Sequence, residues 1–458
     1  MTSSFTSKQN MIALQLRSSL ARRLAAGAAA ASLVMLGGCK SDEILKARTP
    51  DVLTPGSLST SAGANTLRLG AIQNLYNAFA GSVDSYAVVT GNLGDEIRST
   101  DTFDDRILPD RRQMNDNLPS MTTPYLNLHK ARTAATRAIV ALTATLPLPK
   151  FNNGEQYVDR GFAEDFLGEM YCSGVPFSGD DGNTPGTPLT TAQIFTISAA
   201  SFDSALALAD TSTRVKYAAQ IGKARALLNN GQYAAAAAAV SGVPTTFKFL
   251  AYYSLTTSEN GIYNATAAAG SRYGVSDKEG GNGLAYLSQT GDARLPWAAS
   301  ARSGFNTLFS NQPTQLKQIR AGNVVMADGI EARLIEAEAR LQSDTQADRD
   351  AVFATLNSLR QTGITPAVPV IAGTAPTTKD AAITQLFAER GYWFWLTGHR
   401  LGDLRRLVRQ YNRGAETVFP TGTQAAPLSS QYGTDVNFII PSQEKNNLNF
   451  TGCIDRKA

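Results

Sequence analysis

Recognisable arrangements of side chains for acid–base, nucleophilic or metal chemistry are sparse in this 458-residue chain. Its two histidines, His129 and His399, each lie within a helical pattern and lack a second ligand at metal-binding spacing. The chain has no His-Glu-x-x-His, Gly-x-Ser-x-Gly or Cys-x-x-Cys motif. Carboxylates are plentiful, so a glycosidase pair far apart in sequence stays open. The sequence favours binding over catalysis, and it predicts neither a cofactor nor a metal site.

The sequence that precedes the first cysteine indicates a chemical role for that residue. Residues 1–38 contain four basic side chains, followed by an apolar stretch at 24–36 that is too short to span a bilayer. This layout is typical of a secretory signal. Its end, Leu36-Gly37-Gly38-Cys39, resembles the lipobox of bacterial lipoproteins, in which the cysteine is acylated and becomes the new N-terminus. A plain secretory signal followed by an incidental cysteine is the alternative.

The other two cysteines, Cys172 and Cys453, form the remaining pair. An exported protein meets an oxidising environment, so we predict a disulfide bond that ties the C-terminal tail to the middle of the chain. In the chain-entropy model, closing so long a loop contributes roughly 4–5 kcal/mol. Two free buried thiols are the alternative.

The charge balance argues against nucleic acid as a partner. Residues 1–38 hold four of the 42 Lys and Arg residues and no acidic residue, so the rest of the chain has 38 of each sign. No block of basic residues follows the predicted signal. No later apolar segment is long enough to cross a membrane.

Helical periodicity dominates the chain, which predicts a mainly α fold. The unit at 213–240 resembles a tetratricopeptide unit, because Asn229-Asn230-Gly231 separates two helices and Ala224 permits their close approach. A generic helical hairpin is the alternative. The periodic segments are 67–80, 125–146, 163–171, 192–209, 213–240, 330–341 and 348–359.

Glycine, asparagine, serine and tyrosine become frequent between the helical units. We therefore predict a loop-rich binding region at 246–325, since ordered long loops often bind ligands. An N-terminal helical scaffold is predicted at 65–245 and a C-terminal helical region at 326–458. The leader is predicted at 1–38, and the lipidated N-terminus with its tether at 39–64.

Short motifs in the C-terminal half carry a family resemblance. They occupy 331–339, 356–360, 386–390, 397–406 and 440–447. In this order they resemble the SusD/RagB family of outer-membrane nutrient-binding lipoproteins. Asp292-Ala293-Arg294 resembles the family's Asp-Pro-Arg stretch, with Ala293 in place of proline. Thr397 stands where the family usually has glutamate.

The resemblance implies a SusD-like fold, a tetratricopeptide-like helical scaffold that carries a loop-rich ligand-binding region. It also implies a non-catalytic lipoprotein, anchored in outer-membrane lipid through acylated Cys39 and facing the exterior. Such a protein would capture a glycan or a peptide and deliver it to a SusC-like TonB-dependent porin. A helical adaptor in envelope assembly and an extracellular glycan hydrolase are the alternatives.

Sugar binding requires flat apolar faces for the ring and polar groups for the hydroxyls. For each aromatic residue, ordinary packing is the alternative to ligand contact. The candidates are Tyr263, Tyr273 and Trp297 in the loop-rich region, with Arg98, Asp101 and Phe103 in an N-terminal loop that approaches the binding face in related proteins.

Four charged residues lie among aromatic and aliphatic neighbours within the C-terminal motifs that carry the family resemblance. Leaving such a charge buried and unpaired costs several kcal/mol, roughly 3–5. We therefore predict that these residues form internal ion pairs that fix helix packing, and are not catalytic acids. They are Glu389, Arg390, Arg400 and Asp403.

Overall fold

A computed structural model of the protein describes residues 60–145, 149–179 and 184–458. The predicted leader, the predicted acylation site Cys39 and most of the predicted tether lie outside these described residues. The first described helix begins at Ser61, within the segment predicted as tether. It begins there because Thr60 caps it, with Thr60 Oγ1 accepting a hydrogen bond from Gly63 N at 3.0 Å.

Thirteen α-helices in the described residues confirm the prediction of a mainly α fold. In this part of the chain, every helix falls short of the length or the apolar content that crossing a bilayer requires. The helices are α1 (Ser61–Ala80), α2 (Tyr86–Gly94), α3 (Asp104–Asp110), α4 (Pro119–Ala144), α5 (Lys150–Met170), α6 (Thr191–Leu208), α7 (Thr213–Asn229), α8 (Tyr233–Ala239), α9 (Gly261–Thr266), α10 (Gly329–Arg340), α11 (Gln346–Thr362), α12 (Lys379–Trp393) and α13 (Arg400–Arg409).

Helices α1 and α4 to α8 form a row in which each helix packs against the next. Phe202 of α6 fits between two glycines on neighbouring helices. A Cβ at Gly161 of α5 would lie 2.8 Å from the Phe202 ring, and one at Gly222 of α7 would lie 2.2 Å from it. Since larger residues would collide with this ring, the glycines set how closely these helices approach.

The hairpin of α7 and α8 has the turn that the sequence predicts. Gly231 lies between the two helices with φ +74°, a left-handed conformation that favours glycine. Ala224 and Ala236 are fully buried. Helix α8 packs on α10, which in turn contacts α11 and α12, so the row continues into the C-terminal region.

Short strands, rather than long helices, organise the loop-rich region. Four antiparallel pairs form in the described residues: β1 with β5, β2 with β3, β4 with β8, and β6 with β7. The strands are β1 (Ile97–Ser99), β2 (Val175–Phe177), β3 (Thr187–Leu189), β4 (Lys248–Ala251), β5 (Tyr273–Val275), β6 (Trp297–Ala298), β7 (Thr314–Gln315) and β8 (Val324–Asp328).

Asp403 lies at the centre of a buried ion network. Arg390 Nε lies 2.8 Å from Asp403 Oδ2, and Arg406 Nη2 lies 2.8 Å from Asp403 Oδ1. Burial opposes ionisation of this carboxyl, but the two guanidinium groups outweigh burial and lower the pKa of Asp403 to about 2. The network joins helix α12 to helix α13.

The other two predicted ion-pair residues have partners from distant parts of the chain. Arg400 Nε lies 2.6 Å from Asp95 Oδ1, just after α2. Glu389 binds Arg294 at 2.7 Å and Arg360 at 2.6 Å. These contacts attach the C-terminal helices to the N-terminal half and to the loop-rich region.

A disulfide bond joins Cys172 and Cys453, whose Cα atoms are 5.9 Å apart. Backbone hydrogen bonds support the junction on both sides. Cys172 N donates to Phe438 O at 2.8 Å, and Ile454 N donates to Ser173 O at 2.7 Å. The C-terminal tail is thereby held just after the end of α5.

Candidate ligand-binding platform and cleft

Strands β1 and β5 bring the N-terminal segment 97–103 against the loop-rich region. Arg98 lies opposite Gly274 in their register. A Cβ at Gly274 would lie 2.6 Å from Gln312 Oε1, so glycine leaves the space that Gln312 occupies. Arg98 Nη2 donates to this Gln312 Oε1 at 3.4 Å. The Arg98 guanidinium also lies over the Phe309 ring, 5.4 Å from its centroid.

Phe103, Arg272 and Phe305 form an exposed surface that we call the platform. The guanidinium carbon of Arg272 lies 3.5 Å from the Phe305 ring centroid and 5.3 Å from that of Phe103. The two ring centroids are 6.1 Å apart, and Phe103 and Phe305 are 52% and 40% exposed. Single exposed apolar residues are ordinary, whereas contiguous ones mark binding surfaces. The platform offers a ligand flat apolar faces beside a hydrogen-bond donor.

Asp101 orients the platform arginine from inside the protein. Its Oδ1 accepts a hydrogen bond from Arg272 Nη1 at 2.9 Å, and its Oδ2 lies 3.2 Å from Arg106 Nη1. Arg106 also pairs with Asp84 at 2.8 Å. Contrary to the prediction of ligand contact, Asp101 is only 1% exposed and both its oxygens bind arginines.

A cavity of about 340 Å³, which we call the cleft, lies beside β1 and β5. Its size falls within the range of small-molecule sites, about 300–1,000 Å³. Its walls come from β1, the end of α3, the loop that follows β5, and the C-terminal region. The lining residues are Arg98, Asp110, 275–281, Leu287, Phe309, Pro313, 423–425 and Leu428.

The turn 304–309 joins the platform to the cleft. Gly304 N donates to Phe309 O at 2.8 Å, which closes the turn. A Cβ at Gly304 would lie 2.5 Å from Thr100 Cβ, so glycine lets the turn pack directly on the segment after β1. Phe305 stands on the platform and Phe309 lines the cleft. The turn therefore connects the platform to the wall of the cleft.

Asp110 is a buried carboxyl in the cleft wall. Its Oδ1 accepts hydrogen bonds from Asn92 Nδ2 at 2.8 Å and from Ser99 N at 3.0 Å. Its Oδ2 accepts one from Gln424 Nε2 at 2.7 Å. Burial raises the pKa of Asp110 well above its usual range, and the neighbouring carboxyl of Glu279 raises it further.

Glu279 is the second carboxyl of this wall. Its Oε1 accepts a hydrogen bond from Tyr432 OH at 2.8 Å, and its Oε2 accepts one from the Ser276 hydroxyl. Burial raises the pKa of Glu279 as well. Because their oxygens accept hydrogen bonds from several segments, Asp110 and Glu279 hold the walls of the cleft together.

The aromatic residues predicted from the loop-rich region do not join the platform. Tyr273 is 1% exposed, so its ring belongs to the core and is not available to a ligand, contrary to the prediction. Trp297 in β6 and Tyr263 in α9 are half-buried. Within the described ranges, neither ring stacks on a platform residue.

Of the residues that form this candidate site, sequence reasoning selected Arg98 and Phe103 and did not select Arg272 or Phe305. The pairing of β1 with β5 brings Arg272 next to Phe103, and no local pattern announces a contact between segments so far apart. The only local signal at Phe305 is its position after Gly304 in an irregular stretch.

Comparison with known proteins gives structural matches only. No family model and no curated protein sequence matches the chain. A SusD superfamily protein from Bacteroides thetaiotaomicron is 13% identical with a TM-score of 0.66, covering 86% of this chain and 100% of its own. A SusD-like carbohydrate binding protein from Bacteroides vulgatus is 14% identical with a TM-score of 0.62, covering 85% and 97%. A SusD homolog from Bacteroides thetaiotaomicron is 13% identical with a TM-score of 0.63, covering 88% and 99%. The chain therefore has the SusD-like fold that the sequence resemblance implies.

Proposed function

We propose that this protein is a non-catalytic outer-membrane lipoprotein that captures an oligosaccharide on the platform and in the cleft. Acylated Cys39 anchors it in the outer membrane with the binding body facing the exterior. It delivers its ligand to a SusC-like TonB-dependent transporter, over which the scaffold hinges as a lid. A peptide is the alternative ligand.

The observation that carries this proposal is the platform. The C–H faces of a sugar ring pack on aromatic rings, while hydroxyl groups need nearby donors and acceptors. Phe103 and Phe305 supply the exposed rings, and Arg272 supplies a guanidinium that contacts both of them. Since Asp101 holds Arg272 from below, this surface is organised before a ligand arrives.

Similarity of fold supports the same proposal. One of the matched structures is described as a SusD-like carbohydrate binding protein, and it shares the fold over 85% of this chain. The transporter partner and the outer-membrane location follow from the resemblance to the SusD/RagB family.

The cleft supports binding without bond cleavage. A glycosidase needs one carboxyl that gives its proton to the substrate and a second that acts as a base or nucleophile. Here Asp110 accepts three hydrogen bonds from protein donors, and Glu279 accepts two. These carboxyls serve the structure of the cleft.

Removing one platform ring tests the proposal. We expect Phe305→Ala to weaken oligosaccharide binding about fivefold, because stacking on an exposed ring contributes about 1 kcal/mol. Binding to a panel of plant, microbial and host oligosaccharides would be measured by glycan array, and the best ligand by calorimetry. Leu448→Ala is the matched control, because Leu448 is 92% exposed outside the site and its loss should leave affinity unchanged.

Other results would favour the alternatives. Binding of peptides but no oligosaccharide would select the peptide ligand. Release of shorter products from a bound oligosaccharide would identify a hydrolase. Copurification from the outer membrane with assembly proteins and without a TonB-dependent porin would favour the adaptor.

A further inference from the structure

Asp101 contacts two of the three platform residues at once. Its Oδ1 accepts hydrogen bonds from the backbone N of Phe103 at 3.2 Å and from Arg272 Nη1 at 2.9 Å. The same oxygen accepts one from Thr102 N at 2.7 Å. Because the Asp101 side chain is fully buried, these bonds are shielded from water. One carboxylate therefore fixes both the backbone at Phe103 and the guanidinium of the platform.

The charge of Arg272 is compensated within the protein. Its Nη1 lies 2.9 Å from Asp101 Oδ1 and 3.2 Å from Asp101 Oδ2. Since the opposite charge lies so close, the attraction of Arg272 for an anion outside the protein is largely cancelled. Both contacts use Nη1, and among the described residues the other guanidinium N–H groups have no protein acceptor. Arg272 therefore offers a ligand hydrogen-bond donors with little net charge.

Arg106 does not depend on Asp101 for its own compensation. Its Nε and Nη2 lie 3.0 and 2.8 Å from the two carboxylate oxygens of Asp84, which makes a two-point pair. Its Nη1 lies 3.2 Å from Asp101 Oδ2. Asp84 can thus balance Arg106, and the charge of Asp101 balances Arg272. Removing the Asp101 charge would leave Arg272 as an uncompensated cation on the platform.

The cleft adds no excess of cations to the site. Its lining holds three carboxyl groups and two cations, which are Asp110, Asp277, Glu279, Arg98 and Lys278. Asp277 Oδ1 accepts hydrogen bonds from neutral donors, the backbone N of 287 at 2.9 Å and the backbone N of 288 at 3.0 Å. An acidic ligand would therefore gain no net attraction from these lining groups.

We infer that the platform selects an uncharged oligosaccharide, and that Asp101 sets this selectivity by compensating the charge of Arg272. This inference rests on the proposed function and names the class of its ligand. Arg272 donates to sugar hydroxyl groups, and the rings of Phe103 and Phe305 pack on the C–H faces of the sugars. Asp101 acts through Arg272 without touching the ligand, so it is a positioning residue.

Matched pairs of oligosaccharides test the inference in the wild-type protein. Each uronate oligosaccharide is compared with its carboxyl-reduced form, and each N-acetylated one with its deacetylated, cationic form. We expect the uncharged member of the recognised pair to bind at least as tightly as the charged member. Its affinity, measured by calorimetry, should change less than about twofold between about 50 and 500 mM salt, because no net charge is screened. Tighter binding of an acidic or cationic member would overturn the inference.

Asp101→Asn assigns the selectivity to one residue. The amide keeps an oxygen for the backbone N–H groups of Thr102 and Phe103 but removes the charge that compensates Arg272. We expect the variant to favour the acidic member over the uncharged one about fivefold more than the wild type does, as one exposed ion pair can contribute. This gain should disappear at about 500 mM salt. Equal weakening of both members would show a merely structural role for Asp101 and overturn the inference.

Two further variants show whether the gain runs through Arg272. Asp101→Asn/Arg272→Gln removes both charges of the pair and should lose the gain for acidic members. Asp380→Asn is the matched control, because it removes one carboxylate outside the platform, with a side chain 83% exposed that pairs with Arg413. A gain that persists in the double variant, or that appears in Asp380→Asn, would overturn the inference. Thermal melting checks that Asp101→Asn is folded, and if it is not, the wild-type comparison decides.

The same measurements separate this inference from the proposed function. Acidic oligosaccharides that bind tighter than uncharged ones, and that need Phe305, would leave the proposed function standing and remove the selectivity. Failure of every oligosaccharide to bind would remove both.

Discussion

Buried charge is the dominant feature of this protein at the scale of single residues. Arg400, Asp95 and Asp403 are each at most 5% exposed, yet each has an ion partner at hydrogen-bond distance. A buried ion pair stabilises the fold little more than a well-packed apolar pair does. Removing one partner, however, leaves the other charge buried and uncompensated. Such pairs therefore specify which helices meet.

Replacing Arg400 by alanine should destabilise the protein strongly. The change leaves Asp95 buried without its guanidinium partner, so we expect the free energy of unfolding to fall by about 3–5 kcal/mol. Thermal and urea denaturation would measure the loss. Arg340→Ala is the control, because its exposed pair with Asp348 should contribute about 0–1 kcal/mol. An unchanged melting curve for Arg400→Ala would refute the structural role.

Glu96 should make stability depend on pH. It is fully buried, and burial raises its pKa to about 8, although Leu396 N donates to its Oε1 at 2.8 Å. The folded state therefore keeps a proton that the unfolded chain loses near its usual pKa of 4.5. Between these values the unfolded state binds fewer protons, so the free energy of unfolding falls as pH rises from 5 to 8.

Glu96→Gln should reduce the fall in the free energy of unfolding between pH 5 and 8 by an amount on the order of a few kcal/mol. The reason is that one pKa unit corresponds to about 1.4 kcal/mol. Lys317, whose pKa burial lowers to about 8, acts in the opposite direction but only above that pH. Urea denaturation at pH 5, 6, 7 and 8 would give the slope of the free energy of unfolding against pH for the wild type and for Glu96→Gln. Asp380→Asn, with a side chain 83% exposed, should keep the wild-type slope. Equal slopes for wild type and Glu96→Gln would contradict the assignment.

Individual site residues were only partly predictable from the sequence. Residue type and an irregular setting were enough to select Phe103 and Arg98. The same reasoning also selected Tyr273, which the structure buries, because composition does not reveal which face of a strand points inward. Arg272 becomes a site residue only through the β1–β5 pairing, a contact between distant segments.

At the scale of elements, helices were predictable and their connections were not. Periodicity and the left-handed Gly231 locate the α7–α8 hairpin, because both act within a few residues. The loop-rich region contains strands of only two to five residues, and the β1–β5 and β4–β8 pairings join segments far apart in sequence. Such strands are too short for an alternating pattern to show.

The link between α5 and the C-terminal tail should stabilise the whole fold. Replacing both Cys172 and Cys453 by alanine removes the disulfide bond without leaving a free thiol, and we expect a loss of about 2–5 kcal/mol. Urea denaturation of the two proteins would measure it. Thiol titration of denatured, unreduced protein should find neither Cys172 nor Cys453 reactive. Reducing agent should bring the wild type to the stability of the variant, and two reactive thiols would disprove the bond.

At the scale of the whole molecule, the three predicted parts of the body depend on one another. Arg400 reaches Asp95 in the N-terminal half, and Arg294 of the loop-rich region reaches Glu389 of the C-terminal helices. The cleft uses walls from all three parts. The candidate ligand site is therefore a property of the assembled fold, and loss of any one part should abolish it.

In the proposed function, anchoring by lipid determines where that site works. If Cys39 is acylated, the mature protein should remain in the outer-membrane fraction of a Gram-negative host, because two or more acyl chains give stable anchoring. Cys39→Ser removes the thiol that accepts the lipid, so we expect the protein to leave the membrane fraction while its oligosaccharide affinity stays unchanged. Ser41→Ala keeps the Leu36-Gly37-Gly38-Cys39 motif and serves as the control. Fractionation, with mass spectrometry of the N-terminal peptide, would measure both effects. An unmodified Cys39 with the leader still attached would show that this body acts without a lipid anchor, and delivery to a membrane transporter would then lose its physical basis.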